Sequence, residues 1–235
     1  MLLRLWEAAR GGHALDRAVA LLQLAAPGVG GAAVAALPLG RRDAALLALR
    51  RRLFGNRASC FAACPACAAA VEIDLDLSAM LAAPAAEGPF ELERDGWVVR
   101  FRLPTTEDLV AIRKCAGGET ARALLLSRCV SSAVREGLEM EAASMPPDVA
   151  AALDARMAEA DPLADVEVRV ACPACRHEWL APFDVDTFLA EELGAQGRRL
   201  LREVDRLARA YGWSEDAILS LSPLRRQAYL ELASA

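Results

Sequence analysis

Two Cys-Pro-Ala-Cys units, Cys64-Pro65-Ala66-Cys67 and Cys172-Pro173-Ala174-Cys175, hold four of the chain's seven cysteines. A tight turn over each unit aims two sulfurs at one point. Two such turns supply four thiolates, the closed tetrahedral set of a structural zinc site. A closed set leaves no position for water, so metal-assisted hydrolysis is excluded at such a centre. Its folding contribution would be on the order of 10 kcal/mol. Cys60 and His177 are the alternative ligands, each lying close to one pair. A zinc shared between two chains and a set of four unmetallated thiols also satisfy the spacing. Cys-Pro-x-Cys occurs in thiol–disulfide oxidoreductases too, where the first cysteine opens a helix after a strand. Here strand-like segments come after the pairs, and there are two pairs, which disfavours redox catalysis.

The two pairs lead into similar segments. After Cys67 come Val71, Glu72, Ile73, Asp74, Leu75 and Asp76, then a helical start at Ser78. After Cys175 come His177, Glu178, Trp179, Phe183, Asp184, Val185 and Asp186, then Thr187-Phe-Leu. This weak duplication is how a two-knuckle zinc ribbon is built. The departure is the gap of residues 68–171, far beyond the roughly 15–20 residues of an ordinary ribbon. The ribbon is therefore split by an insertion. The expected fold is α+β and mostly helical: a split four-cysteine zinc ribbon with a small antiparallel sheet, flanked and interrupted by helices. Its segments are an N-terminal helical part (1–57), the first knuckle with a β-hairpin (58–103), a helical insertion (104–164), the second knuckle (165–185) and a C-terminal helical region (186–235).

Local patterns fill in these segments. Leu15, Val19 and Leu22 mark one helical face. Asp43 reads as the N-cap of a helix carrying Leu46, Leu49 and Leu53, with Arg50, Arg51 and Arg52 near its negative end. Val71, Ile73, Leu75 and Leu77 alternate with acids, the period of a strand with one wet face. Ala82 to Pro89 reads as a loop. Asp95-Gly96 between Phe90–Arg94 and Trp97–Phe101 predicts a hairpin. Helices are expected from Thr105 or Thr106 to about Ala116, and from about Glu119 to Arg135, the second with Leu125, Cys129 and Ser132 or Ala133 on one face. Cys115 and Cys129 then serve as small core residues. Another helix starts at Pro146-Pro147 and ends at Asp161-Pro162. Val166, Val168 and Val170 alternate into the second knuckle. Leu189, Leu193, Leu200, Val204, Leu207 and Tyr211 form a buried stripe in which Gly197 holds the missing position. Ser214 and Ser222-Pro223 open two short helices, the second with Leu224, Tyr229, Leu230 and Leu232 as its contacts.

Composition narrows the function. With 55% hydrophobic and 5% aromatic residues, the 235-residue chain has ample material for an aliphatic, helical core. Two histidines leave little room for histidine catalysis. The net charge of −5 is uneven. Residues 1–57 carry nine arginines against three acids, net +6. Residues 58–197 hold 11 basic and 24 acidic groups, net −13. Residues 198–235 have seven arginines and five acids, net +2. The acidic middle repels phosphate and argues against nucleic-acid binding. The basic ends either dock on an acidic partner or satisfy the chain's own middle. Arg198, Arg202, Arg206 and Arg209 line one side of the long C-terminal helix, as a solvated or partner-binding row. The two short terminal helices are too tightly joined, and too poor in polar base readers, for a helix-turn-helix. Asp74/Asp76 and Asp184/Asp186 read as solvated faces or arginine partners. Gly28–Gly31 lacks the Gly-Lys-Ser/Thr of a phosphate loop. Ala18–Gly40 is uncharged and long enough for a bilayer, but Pro27, Gly28, Gly30, Gly31 and Pro38 break it into two short helices. The odd cysteine count and the absence of a signal-peptide pattern predict a cytoplasmic protein with reduced or metal-bound thiols.

The segment Leu37-Pro-Leu-Gly-Arg-Arg-Asp-Ala-Ala-Leu-Leu-Ala-Leu-Arg, then Phe54-Gly and the first knuckle, resembles the start of a group of zinc-ribbon accessory proteins. The second knuckle, Phe183-Asp-Val-Asp-Thr-Phe-Leu and Ala210-Tyr-Gly-Trp-Ser-Glu-Asp-Ala-Ile-Leu-Ser-Leu-Ser-Pro-Leu-Arg-Arg-Gln-Ala-Tyr-Leu resemble their end. These proteins belong to contractile, phage-tail-like injection systems and are similar to T-even phage baseplate hub assembly chaperones. The resemblance covers nearly the whole chain. Residues 104–164 match least, and Arg176 stands where such knuckles often have glycine. It implies a non-enzymatic assembly role with baseplate or hub proteins of the particle as partners; the spacing makes Cys64, Cys67, Cys172 and Cys175 the ligands of a structural zinc, and neither nucleic acid nor membrane is an expected partner. The alternatives from other classes are a zinc-ribbon nucleic-acid or regulatory module and a thiol–disulfide oxidoreductase. The sequence leaves the oligomeric state open.

Overall fold

The computed structural model describes residues 1–82 and 85–233. The chain divides into two units, Gly12–Leu189 and Met1–Gly11 with Ala190–Ala235. Helix α1 (Leu2–Ala9) belongs to the smaller unit.

The larger unit opens with α2 (Ala14–Ala25), α3 (Gly31–Ala35) and α4 (Leu39–Phe54). His13 caps α2, its Nδ1 accepting from the Leu15 N–H at 3.3 Å. The buried residues of α2 are Ala18, Leu21 and Leu22, one step round the helix from the expected Leu15–Val19–Leu22 face. Asp43 does not cap α4. The helix begins a turn earlier, after Pro38, because its first N–H groups find partners elsewhere in the chain. The Leu39 N–H donates to the Pro104 carbonyl at 3.0 Å, and the Gly40 N–H to Asp161 Oδ2 at 2.9 Å. A Cβ on Gly40 would lie 1.9 Å from Asp161 Oδ1, so this close approach requires glycine. Asp43 sits buried inside the helix, paired with Arg42 Nε at 2.7 Å.

Strands β1 (Arg57–Ala63) and β2 (Ala70–Asp76) form the first antiparallel hairpin, and the short α5 (Leu77–Met80) comes next. Of the loop expected over Ala82–Pro89, Ala83 and Pro84 lie outside the described residues. β3 (Phe90–Arg94) and β4 (Trp97–Phe101) pair around Asp95-Gly96, whose φ values of 50° and 77° are those of a type I′ hairpin turn. Thr105 opens α6 (Thr106–Ile112) with a capping box, exchanging bonds with Asp108. α7 (Gly118–Cys129) ends six residues before the expected Arg135. Val130–Arg135 is instead β5, paired with β4, and Leu138–Glu139 adds β6 across Glu136-Gly137. The insertion therefore contains half of a four-stranded sheet, ordered β3-β4-β5-β6, and is not purely helical. α8 (Pro147–Ala160) packs on this sheet, and Trp97, Val99, Phe101, Leu126, Val149 and Leu153 form the core. Cys129 lies in that core, whereas Cys115 is only half-buried in the turn after α6. β7 (Glu167–Ala171) and β8 (Glu178–Pro182) make the last hairpin.

α9 (Val185–Tyr211) carries buried Leu189 and Leu193, then Leu200 and Leu207. Within the smaller unit, the Trp6 indole fills the gap in that stripe: a Cβ on Gly197 would lie 2.3 Å from its ring. α10 (Glu215–Ser220) and α11 (Pro223–Leu232) start at Ser214 and Ser222, whose hydroxyls accept from Ala217 and Arg225 N–H groups. Leu207, Ile218 and Leu230 form their core beside Tyr211, Trp213 and Tyr229. Leu224 and Leu232 contribute nothing to it, both facing solvent. Among the described residues, no helix is long and apolar enough to cross a membrane.

Candidate metal centre

Each Cys-Pro-Ala-Cys unit is the tip of a hairpin, with strands on both sides. In the first, the Cys64 N–H donates to the Ala69 carbonyl at 2.9 Å and the Ala68 N–H to the Cys64 carbonyl at 2.8 Å. The second repeats this bond for bond: Cys172 N–H to His177 O, and Arg176 N–H to Cys172 O, both at 2.9 Å. Ala68 and Arg176 hold the same left-handed conformation, with φ of 58° and 63°. Arg176 thus takes the conformation for which glycine is the usual residue.

The two tips meet. Cys64 Sγ lies 3.7 Å from Cys175 Sγ, and Cys67 Sγ lies 3.6 Å from Cys172 Sγ. All four ligand atoms fall within 4.8 Å of one another. A tetrahedral ion with metal–sulfur bonds of about 2.3 Å needs sulfurs about 3.8 Å apart. The tetrad therefore has the size of a zinc cage, built from one chain. The arrangement is pseudo-symmetric. The first cysteine of each pair is buried, the second exposed, and each buried sulfur contacts the exposed one of the other hairpin. Cys64, Val71, Val170, Cys172 and Ala181 form a small core beneath, with Ile73, Val168 and Trp179 packed against it.

Three of the sulfurs receive backbone N–H bonds that suit a thiolate. N–H groups of Cys175 and Ala174 point at Cys172 and lower its pKa to about 7. His177 N–H does the same for Cys175, but the neighbouring sulfurs, Cys67 first among them, push that thiol up to about 12. Ala69 N–H serves Cys67 in the same way, helped by Cys175, but Cys172, burial and Cys64 oppose it and the net shift is upward. Four thiolates repel, and a dication is the group that would remove this repulsion. Bound there, zinc would supply a cross-link between the hairpins, with all four positions taken by protein.

Neither alternative ligand joins the cluster. Cys60 lies within β1 opposite Ile73, and burial pushes its thiol up. The His177 ring stacks on Trp179, with centroids 6.1 Å apart. Both pairs sit between strands, with no helix of the described residues starting at either. A redox Cys-x-x-Cys uses such a helix N-terminus to activate its thiol.

Polar contacts tie the hairpins to the segments that flank them. Buried Arg50 of α4 donates to the carbonyls of Gly55 and Arg57, both at 2.7 Å, which sets the start of β1. Asp76 accepts from Asn56 Nδ2 at 2.7 Å and from the Ser78 N–H at 2.9 Å, capping α5. Asp184, at the equivalent place, accepts from the Thr187 N–H at 2.8 Å at the start of α9. Asp186 pairs with Arg17 of α2; burial raises its pKa and Arg17 opposes the rise. Asp74 accepts from the Ser59 hydroxyl at 2.8 Å.

One polar cluster escapes the sequence pattern. Asp108 is fully buried and accepts from Arg102, Arg128 and Thr105. Thr105-x-x-Asp108 is a readable capping pattern. The two arginines come from separate elements and leave no local signal.

No curated protein and no solved structure matches the chain. A family model does, the one described as T4 bacteriophage base plate protein. It aligns with residues 14–190, most of the 235, and that span includes both hairpins and the sheet inserted between them. The chain belongs to the family of the T4 bacteriophage base plate protein.

Proposed function

We propose that the protein is a non-enzymatic, zinc-binding assembly factor or structural component of the baseplate of a contractile, phage-tail-like injection system. The observation that carries this reading is the base plate family match over residues 14–190, which contains all four clustered cysteines. Zinc on Cys64, Cys67, Cys172 and Cys175 acts as a structural cross-link. It joins hairpins that the insertion separates by about a hundred residues. The partners are baseplate or hub proteins of the particle, met in the cytoplasm during assembly. Geometry favours this reading over redox chemistry, because the cysteine pairs sit on hairpin tips inside a tetrad. Net acidity of the middle segment favours it over a nucleic-acid module.

The test combines metal analysis with capture from the native host. The expected result is one zinc per chain and recovery of sheath, tube or baseplate proteins with the tagged protein. Metal-free protein with all seven thiols titrating would overturn the zinc centre. Recovery of no tail or baseplate protein would overturn the assembly role.

A further inference from the structure

The outer face of the β1–β2 hairpin is composed unlike the rest of the ribbon. Its exposed residues are Arg57, Ser59, Phe61 and Ala63 on β1, opposite Asp76, Asp74, Glu72 and Ala70 on β2. Phe61 is 71% exposed, an aromatic ring standing free on a strand. Beside it run three carboxylates at alternate positions of one strand, and Arg57 is the one cation among these eight residues. Asp76 is oriented by Asn56 and Ser78, and Asp74 by Ser59, so two of the carboxylates are fixed before any partner arrives. Aligning the two cysteine tips puts Phe61 level with Arg169 and Glu72 level with Leu180. The second hairpin thus repeats the backbone without the acidic row.

We infer that this face is a docking surface for a basic segment of a partner protein, with Phe61 as its anchor and Glu72, Asp74 and Asp76 as its charge guide. The inference rests on the assembly role proposed above and names the surface that performs it. Aromatic side chains, Phe among them, are enriched in interface cores, and an aromatic anchor near the middle of a patch is a common hot spot. Carboxylates around it speed encounter with arginine or lysine side chains and reject acidic surfaces. Phosphate-bearing ligands are repelled by the same row, so nucleic acid is not the occupant.

The test places a photoreactive benzoylphenylalanine at position 61 of the full-length, zinc-loaded protein, coexpressed with the host's tail and baseplate proteins. After irradiation, the joined peptides are mapped by mass spectrometry. The expected product is a link to an arginine- or lysine-rich segment of a baseplate protein. Its yield should fall about tenfold in the E72K/D74K double variant, and the same group at position 169 should give far less. Phe61→Ala should weaken capture of that protein about 30-fold, the size of a hot-spot loss. Unchanged zinc content shows that these surface variants keep the ribbon. A link to a neutral or acidic segment or to a second copy, or an equal yield from position 169, would overturn the inference. So would indifference to the charge reversal. If baseplate proteins are captured while position 61 stays silent, this face is wrong and the assembly role stands. If none are captured, both fall.

Discussion

The two cysteine hairpins are alike where they face the sulfur tetrad and unlike where they face water. Both tips close with the same pair of backbone bonds, place a non-glycine residue at left-handed φ, and end in an aspartate that caps the next helix. On the outer faces the first hairpin shows Phe61 with Glu72, Asp74 and Asp76, while the second shows Glu167, Arg169, Glu178 and Leu180. Inner likeness is what a shared tetrahedral centre demands, since each hairpin must deliver two sulfurs in one geometry. The outer faces are free of that demand and differ in charge and shape.

Removing the proposed zinc should have the largest effect. Chelation should cost on the order of 10 kcal/mol of stability, read as a collapse of the thermal transition. Cys64→Ser and Cys172→Ser should be equally damaging, because both sulfurs are buried in the same core. A variant that kept its zinc after losing either cysteine would break the equivalence of the hairpins.

Next is a change outside both hairpins. Asp108→Ala removes the buried acceptor of the α6 capping box and of two half-exposed arginines, Arg102 and Arg128, and should cost about 1–3 kcal/mol, with the metal content of the cysteine centre unchanged. The same residue sets a pH dependence. Burial works to raise its pKa, but donors from Arg102, Thr105 and Arg128 outweigh this and hold it well below the ordinary 3.8. A lowered carboxylate stabilises the fold above its unfolded value, and that stability is lost as the pH falls below about 4. Acid unfolding of Asp108→Asn, compared with the parent in the same buffers, should show a shallower slope there.

Gly40→Ala should cost about 2–3 kcal/mol by driving Asp161 from the start of α4, measurable by denaturant unfolding. The smallest effect concerns the left-handed tips. Ala68→Gly and Arg176→Gly should each stabilise by up to about 1 kcal/mol. A gain at one tip and a loss at the other would show that the two backbones are less alike than their hydrogen bonds.

Much of the architecture is legible in the sequence because its signals are local. Asp95-Gly96, Ser214, Ser222-Pro223 and Pro147 each act within a few residues, and the structure uses them as turns and helix starts. The cysteine spacing predicts the tips for the same reason. Sequence patterns mislead where a distant partner decides. Val130–Arg135 continues a helical pattern in sequence, but β-branched Val130 and Val134 and buried Ala133 are claimed by β4. Asp43 has the look of a cap because Asp161, which supplies one from 121 residues away, carries no local mark. Leu224 and Leu232 have the look of core, but they lie at the two ends of α11 and face solvent. The meeting of the four sulfurs is expected from their number and spacing. Which side chains anchor each hairpin, Arg50 above all, is not.

The split of the ribbon also has a consequence in time. At synthesis rates of about 5–20 residues per second, roughly 5–20 s pass between Cys67 and Cys172 leaving the ribosome. Throughout that interval the first tip holds two of the four sulfurs and no complete cage. The sheet of β3 to β6 is made wholly within the interval and has time to fold before the second tip arrives. Closure of the tetrad therefore comes late, and a chain whose insertion has stalled would present an open, two-sulfur tip that quality-control proteases and competing metals meet first.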